Sequence, residues 1–167
     1  MLNASQINTI EAKASTVLES VFGNLENMSP PIDILDILKK YEINLKSGSF
    51  EDKNVSGLYD KDKRLIYIAD DESPNRKAFT VAHELGHFFL HTDKTTDLFY
   101  RMQILNLTDE HRKDEQEANW FAASLLMPEK LVKHYFSITN DVDKLTTVFG
   151  VSPTAVYYRL KNLGLVS

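Results

Sequence analysis

The stretch FTVAHELGHFFLH, residues 79–91, constrains the fold more than any other part of the chain. It places His83, His87 and His91 at intervals of four, with Glu84 directly after the first, in an apolar run of helical period. Residues four apart project from one face of a helix, so His83 and His87 can aim two imidazole nitrogens at one metal ion. The competing reading is a core helix whose histidines pair with nearby carboxylates. A third ligand decides between the two.

Glu84 lies about 100° round the helix from His83, too far to be an equivalent ligand but close enough to serve as a base. Two neutral nitrogen ligands and a carboxylate that takes a proton from attacking water are what a zinc hydrolase needs. His91 fits poorly as the third ligand. It lies about 12 Å beyond His83 along the axis, whereas ligands of one zinc sit about 3 to 4 Å apart. The extended pattern with Gly three and His six residues after the second histidine also fails, because Leu90 and Asp93 stand there. His91 therefore reads as a helix-end residue that supports a ligand. With no cysteine in 167 residues, the missing ligand must be His, Asp or Glu from another segment.

The candidate segment is DEQEANWFAASLLMP, residues 114–128. Glu115 and Asn119 share one helical face, so Glu115 can bind the metal while Asn119 orients a neighbour by hydrogen bonding. His111, four residues before Glu115, shares that face too. Glu117, about 200° round from Glu115, should point elsewhere. Phe121, Ala122, Leu125 and Leu126 give the helix an apolar side with which to dock on the first.

The rest of the chain reads as an α+β domain. Residues 4–25 carry one apolar stripe, and a second helix restarts with Ser29 as its cap, Pro30 and Pro31 in its first turn, and Ile34, Leu35, Ile37 and Leu38 as its buried face. Three short β-rich runs, INLKSGS, VSGLYD and RLIYIAD, predict a small antiparallel three-strand sheet ended by DESPN. LFYRMQILNL then reads as an irregular loop or a short strand. A long helix starts near 108 or 109 and stops at Pro128. Three helical segments close the chain, with Gly150, Ser152 and Gly164 as terminators or caps. The expected division is a catalytic core over residues 1–128 and a helical subdomain over 129–167.

Neither a secretory signal nor an 18-residue apolar span is visible, so a cytoplasmic protein without membrane insertion is expected. LTTVFGVSPTAVYYRLKNLGL resembles a helix-turn-helix. Its second helix offers only Arg159 and Lys161 as basic groups, thin for DNA binding in a chain of net charge −5. Packing on the core, or contact with a protein partner, is the expected role. Zinc is the expected metal, with manganese as the alternative.

FTVAHELGHFFLH followed by EQEANWFAASLLMP resembles the ImmA/IrrE metallopeptidases, a family known for acting on helix-turn-helix repressors. The resemblance runs strongly from residue 55 to 128 and extends to PIDILDILKKYEINL and the tail. It implies a gluzincin-like site on a zincin-type helix pair, with His83, His87 and Glu115 on zinc, Glu117 as fallback ligand, and Glu84 as general base. It also implies a zinc endopeptidase that cleaves a repressor encoded nearby and so derepresses stress-response or mobile-element genes. The alternative is a non-catalytic, zinc-stabilised regulator that binds a repressor or DNA through its C-terminal helices. Proteases of this class hold substrate as an added strand on a sheet edge, which points to Leu65, Ile66, Tyr67 and Ile68, unless that strand is interior. Tyr100, Arg101 and His111 are candidate oxyanion donors.

Overall fold

The computed structural model describes residues 2–52, 55–91 and 109–167, the Glu110 side chain excepted. Helix α1, Ala4–Phe22, begins with a reciprocal cap: Asn3 Oδ1 accepts from the Gln6 amide at 2.9 Å, and Gln6 Oε1 accepts from the Asn3 amide at 3.0 Å. Its stripe of Ile10, Ala14, Val17 and Leu18 is buried. Helix α2, Ile34–Lys40, starts later than the sequence suggests. Asp33, not Ser29, caps it by accepting from the Leu35 amide at 2.9 Å, while Pro30 and Pro31 lie in the approach. That start also turns Leu35 outward to 57 % exposure, leaving Ile37 and Leu38 as the buried pair.

The sheet is mixed rather than antiparallel. Strands β1 (Asn44–Gly48), β2 (Gly57–Asp60) and β3 (Leu65–Ala69) lie in the order β1-β3-β2. The turn between β2 and β3, where Asp60 Oδ1 accepts from the Lys63 amide at 3.0 Å, makes those two an antiparallel hairpin. The other edge of β3 is left for β1, which runs parallel to it with Asn44 opposite Leu65. Strand β3 is thus the middle strand, and its run Leu65, Ile66, Ile68, Ala69 is buried. It offers no free edge, so Leu65, Ile66, Tyr67 and Ile68 cannot receive an added substrate strand. Among the described residues the edges are β1 and β2.

Helix α3 runs from Pro74 to Leu90, five residues earlier than residue 79. Ser73 precedes it and Pro74 occupies the first turn, where a missing amide hydrogen costs nothing. Helix α4, Asp109–Leu126, packs against α3, and α1 lies against α4. Helices α5 (Glu129–Ile138), α6 (Val142–Phe149) and α7 (Pro153–Asn162) follow, with Ser152 Oγ accepting from the Ala155 amide and Gly150 left-handed at φ 64°. Val132, Leu145, Phe149, Val156 and Leu160 join the same buried cluster as Leu18, Leu85 and Phe121.

A buried ion pair holds the tail to this core. Arg159, 1 % exposed, donates from Nη1 and Nη2 to the two oxygens of Glu11 at 2.6 and 3.1 Å, and from Nε to the Met127 carbonyl at 2.9 Å. Trp120 Nε1 and Ser124 Oγ each donate to Glu11 Oε1 at 2.9 Å. Residues from α1, α4 and α7 are thereby joined at one carboxylate.

Burial pushes the Glu11 carboxyl up, but the Arg159 guanidinium and the Trp120 and Ser124 donors outweigh it and hold the group below its ordinary 4.5. A carboxyl depressed in the folded state contributes stability above its unfolded value and loses it as pH falls through the folded value. Glu11→Ala strands the guanidinium and is expected to cost about 3 kcal/mol in urea denaturation at pH 7. The stability gap between the parent and Glu11→Gln should narrow once pH drops below 4.5, a trend that denaturation at stepped pH will read.

A candidate metal centre between two helices

Helices α3 and α4 approach unusually closely because Gly86 has no side chain. A Cβ on Gly86 would lie 2.9 Å from Ala118 Cα and 3.0 Å from the Ala118 carbonyl oxygen. Gly86 falls between His83 and His87, and Ala118 between Glu115 and Asn119, so the contact brings the two polar pairs face to face. The pairing of His83 with Asn119 and of His91 with Asp114 runs in opposite sequence directions, so the helices are antiparallel.

The donor atoms converge. His83 Nε2 and His87 Nε2 are 3.0 Å apart; His83 Nε2 is 3.3 Å from Glu115 Oε2, and His87 Nε2 is 3.2 Å from Glu115 Oε1. Ligands held at roughly 2.0 Å around a tetrahedral zinc stand about 3.3 Å from one another. The triangle therefore has the size of a zinc site. Asn119 Oδ1 lies 3.0 Å from His83 Nδ1 and can only accept, which puts a His83 proton on Nδ1 and, in the singly protonated ring that a metal ligand requires, a lone pair on Nε2. That lone pair faces a second ring nitrogen and a carboxylate, an unfavourable meeting unless a cation lies among them. The residues present fit a divalent metal.

Protonation favours the same use. Burial lowers the His87 imidazole below its ordinary value, so the ring is neutral at pH 7 and its nitrogen is available. Burial alone would raise the Glu115 carboxyl, but hydrogen bonding and positive charge at the His83 and His87 nitrogens, the place a metal cation would take, outweigh it and hold the group far below the carboxylate range. The site thus presents a neutral His87 nitrogen and one anion beside the His83 ring.

Glu84, 1 % exposed, faces the sheet at the start of β2. A Cβ on Gly57 would lie 3.1 Å from Glu84 Oε1 and 2.4 Å from Thr80 Cγ2, so only glycine lets the strand pass this close. His91 caps α3, with Nδ1 3.1 Å from His87 Nδ1 and Nε2 3.0 Å from Glu117 Oε2 and 3.7 Å from Asp114 Oδ1. Glu117 therefore turns away from the triangle, as its angle on the helix implies. His111 lies on an exposed part of α4 one turn before Glu115. Tyr100 and Arg101 fall outside the described residues.

The sequence reading missed Gly57, Asp114 and the Gly86–Ala118 contact. Gly57 and Gly86 matter through atoms that lie far off in the chain, which a local pattern does not carry. Asp114 stood in plain view beside Glu115, yet its partner His91 was set only by the helix register.

Two histidines and a glutamate aimed at one point, beside a buried carboxylate on an α+β frame, define the metallopeptidase class. The profile of the peptidase M78 family, described as the IrrE N-terminal-like domain, matches residues 38–161, and the chain belongs to this ImmA/IrrE family of metallopeptidases. It is 34% identical over 99 residues to an immunity region protein of Bacillus phage phi105, covering 58% of this chain and 60% of that protein. It is 28% identical over 142 residues to metallopeptidase ImmA of Bacillus subtilis (strain 168), covering 81% and 77%. With the radiation response metalloprotease IrrE of Deinococcus deserti it shares 34% over 106 residues, 60% of this chain but 32% of IrrE. The chain thus spans less than two thirds of the phage protein and about a third of IrrE. A solved Mycobacterium tuberculosis transcriptional regulator superposes with a TM-score of 0.63 at 19% identity, over 92% of this chain and 46% of that one, a likeness of fold.

Gly86→Ala should force α4 outward and open the ligand triangle. Affinity for a divalent metal, read with zinc as probe by chelator competition, is expected to fall by about tenfold or more, while helix content by circular dichroism stays unchanged.

Proposed function

We propose that the chain is a zinc-dependent endopeptidase in which His83, His87 and Glu115 hold the metal and Glu84 is the general base. The observation that carries this reading is the convergence of His83 Nε2, His87 Nε2 and Glu115 within 3.3 Å, with Glu84 buried on the same helix. A structural metal site has no use for a carboxylate at that place. Zinc, when bound, supplies Lewis-acid polarisation of the scissile carbonyl. Glu84 takes the proton from the attacking water and returns it to the departing amine. Asn119 keeps the His83 ring oriented through its Nδ1 proton. Manganese is the alternative occupant.

The substrate is a protein, and we assign it as a helix-turn-helix repressor encoded nearby, whose cleavage releases stress-response or mobile-element genes. Membership of the ImmA/IrrE family, with relatives named as a metallopeptidase, a radiation response metalloprotease and a phage immunity region protein, is what supports a protein substrate in such a setting. The edge nearest Glu84 is β2, through Gly57, which favours β2 over β3 as the place where a substrate strand would lie. His111, Tyr100 and Arg101 are kept as candidate oxyanion donors.

We further propose residues 1–128 as the catalytic core and 129–167 as a helical subdomain docked on it, in a cytoplasmic protein. Among the described residues no helix is long and apolar enough to cross a membrane. Burial of Arg159 on Glu11 leaves Lys161 as the basic side chain of α7 that faces water, which favours packing or protein contact over reading DNA.

Glu84→Gln is expected to bind zinc like the parent and to cleave a co-expressed repressor at least about a hundredfold more slowly. Equal cleavage by this variant would leave a zinc-stabilised regulator as the better account.

A further inference from the structure

We infer that His91 is a positioning residue: it accepts the Nδ1 proton of His87 and passes the polarisation to Glu117, so that His87 is held with its Nε2 lone pair toward the metal. This rests on the metal reading above and extends it by one shell, along a chain of three groups reaching α1.

The direction of the chain is forced by proton counting. His87 Nδ1 and His91 Nδ1 are 3.1 Å apart in a buried contact, a separation that admits one proton between them. If His87 gives Nε2 to a cation, its own proton sits on Nδ1, and the His91 Nδ1 must be the bare acceptor. The remaining His91 proton then lies on Nε2, which is 3.0 Å from Glu117 Oε2 and 3.7 Å from Asp114 Oδ1. A carboxylate can only accept, so donor and acceptor alternate without conflict from Glu117 back to His87. Glu117 is itself fixed, with Gln6 Nε2 of α1 and Lys113 Nζ each 3.5 Å from Oε1. The two metal histidines thus receive different supports: a neutral amide oxygen behind His83, and a second imidazole backed by carboxylates behind His87.

His91 and Glu117, together with Asp114, are also close enough to hold a second cation. That arrangement needs a lone pair on His91 Nε2, which would move its proton to Nδ1 and set it against the His87 Nδ1 proton. The two uses exclude each other, which makes the inference testable.

Nitrogen-15-labelled full-length protein loaded with zinc gives the tautomers directly in long-range proton–nitrogen spectra. His83 and His87 should appear as Nδ1-protonated rings with metal-shifted Nε2, and His91 as an Nε2-protonated ring. His91→Ala should weaken zinc binding by about 10- to 100-fold in chelator competition. His91→Asn, whose amide oxygen can take the place of the acceptor nitrogen, should recover most of the loss. Glu117→Ala should cost less, and combined with His91→Ala should add nothing.

A His91 ring protonated on Nδ1, unchanged affinity in His91→Ala, or a second bound zinc lost with His91 would each overturn the relay. Zinc bound at His83 and His87 with His91 in the wrong tautomer defeats the relay alone. A parent that binds no zinc defeats the metal reading and the relay with it.

Discussion

The structure depends on the contact of Gly86 with Ala118. Two helices packed through ordinary side chains stand about 8 to 10 Å apart, and short polar side chains cannot share one ion across the wider part of that range. With no Cβ at Gly86, the backbone of α4 comes within 3 Å of where one would be. Glu115 then reaches both imidazoles, Asn119 reaches His83, and Glu117 and Asp114 reach His91. These polar contacts between α3 and α4 follow from that one approach.

Such a centre needs support from behind, because two lone pairs and an anion gathered in a buried space repel one another. Phe121, Ala122, Leu125 and Leu126 anchor the lower half of α4 in the core, and Glu11 reaches the same helix through Trp120 and Ser124. Arg159 draws the C-terminal helix onto that carboxylate. The tail and the first helix therefore brace the helix that carries Glu115. Glu84, the proposed base, is positioned separately, by the sheet, where Gly57 lets β2 pass beside it.

Features that depend on spacing along one helix were legible in the residues. His83, Glu84 and His87 follow from local geometry, and the pairing of Glu115 with Asn119 follows from the same rule on a second helix. The bounds of α4 and the caps Ser152 and Gly150 were readable for the same reason. Features that depend on distant partners were not. Strand β1 pairs parallel because a tight turn commits β2 to the other side of β3, and alternation of residue types does not encode that order. Pro74 read as a terminator of the sheet, yet served as the first turn of α3. Asp33 took the capping place expected of Ser29, which moved the start of α2 and exposed Leu35. The direction of His91, toward two carboxylates of α4, required the helix register.

The central claim is that one metal ion sits among His83, His87 and Glu115. The most direct test is diffraction from zinc-loaded crystals at the zinc absorption edge. The account predicts a single anomalous peak bonded to His83 Nε2, His87 Nε2 and a Glu115 oxygen. A peak on His91, Asp114 and Glu117 in its place, or full zinc occupancy with Glu115 turned away, would contradict it.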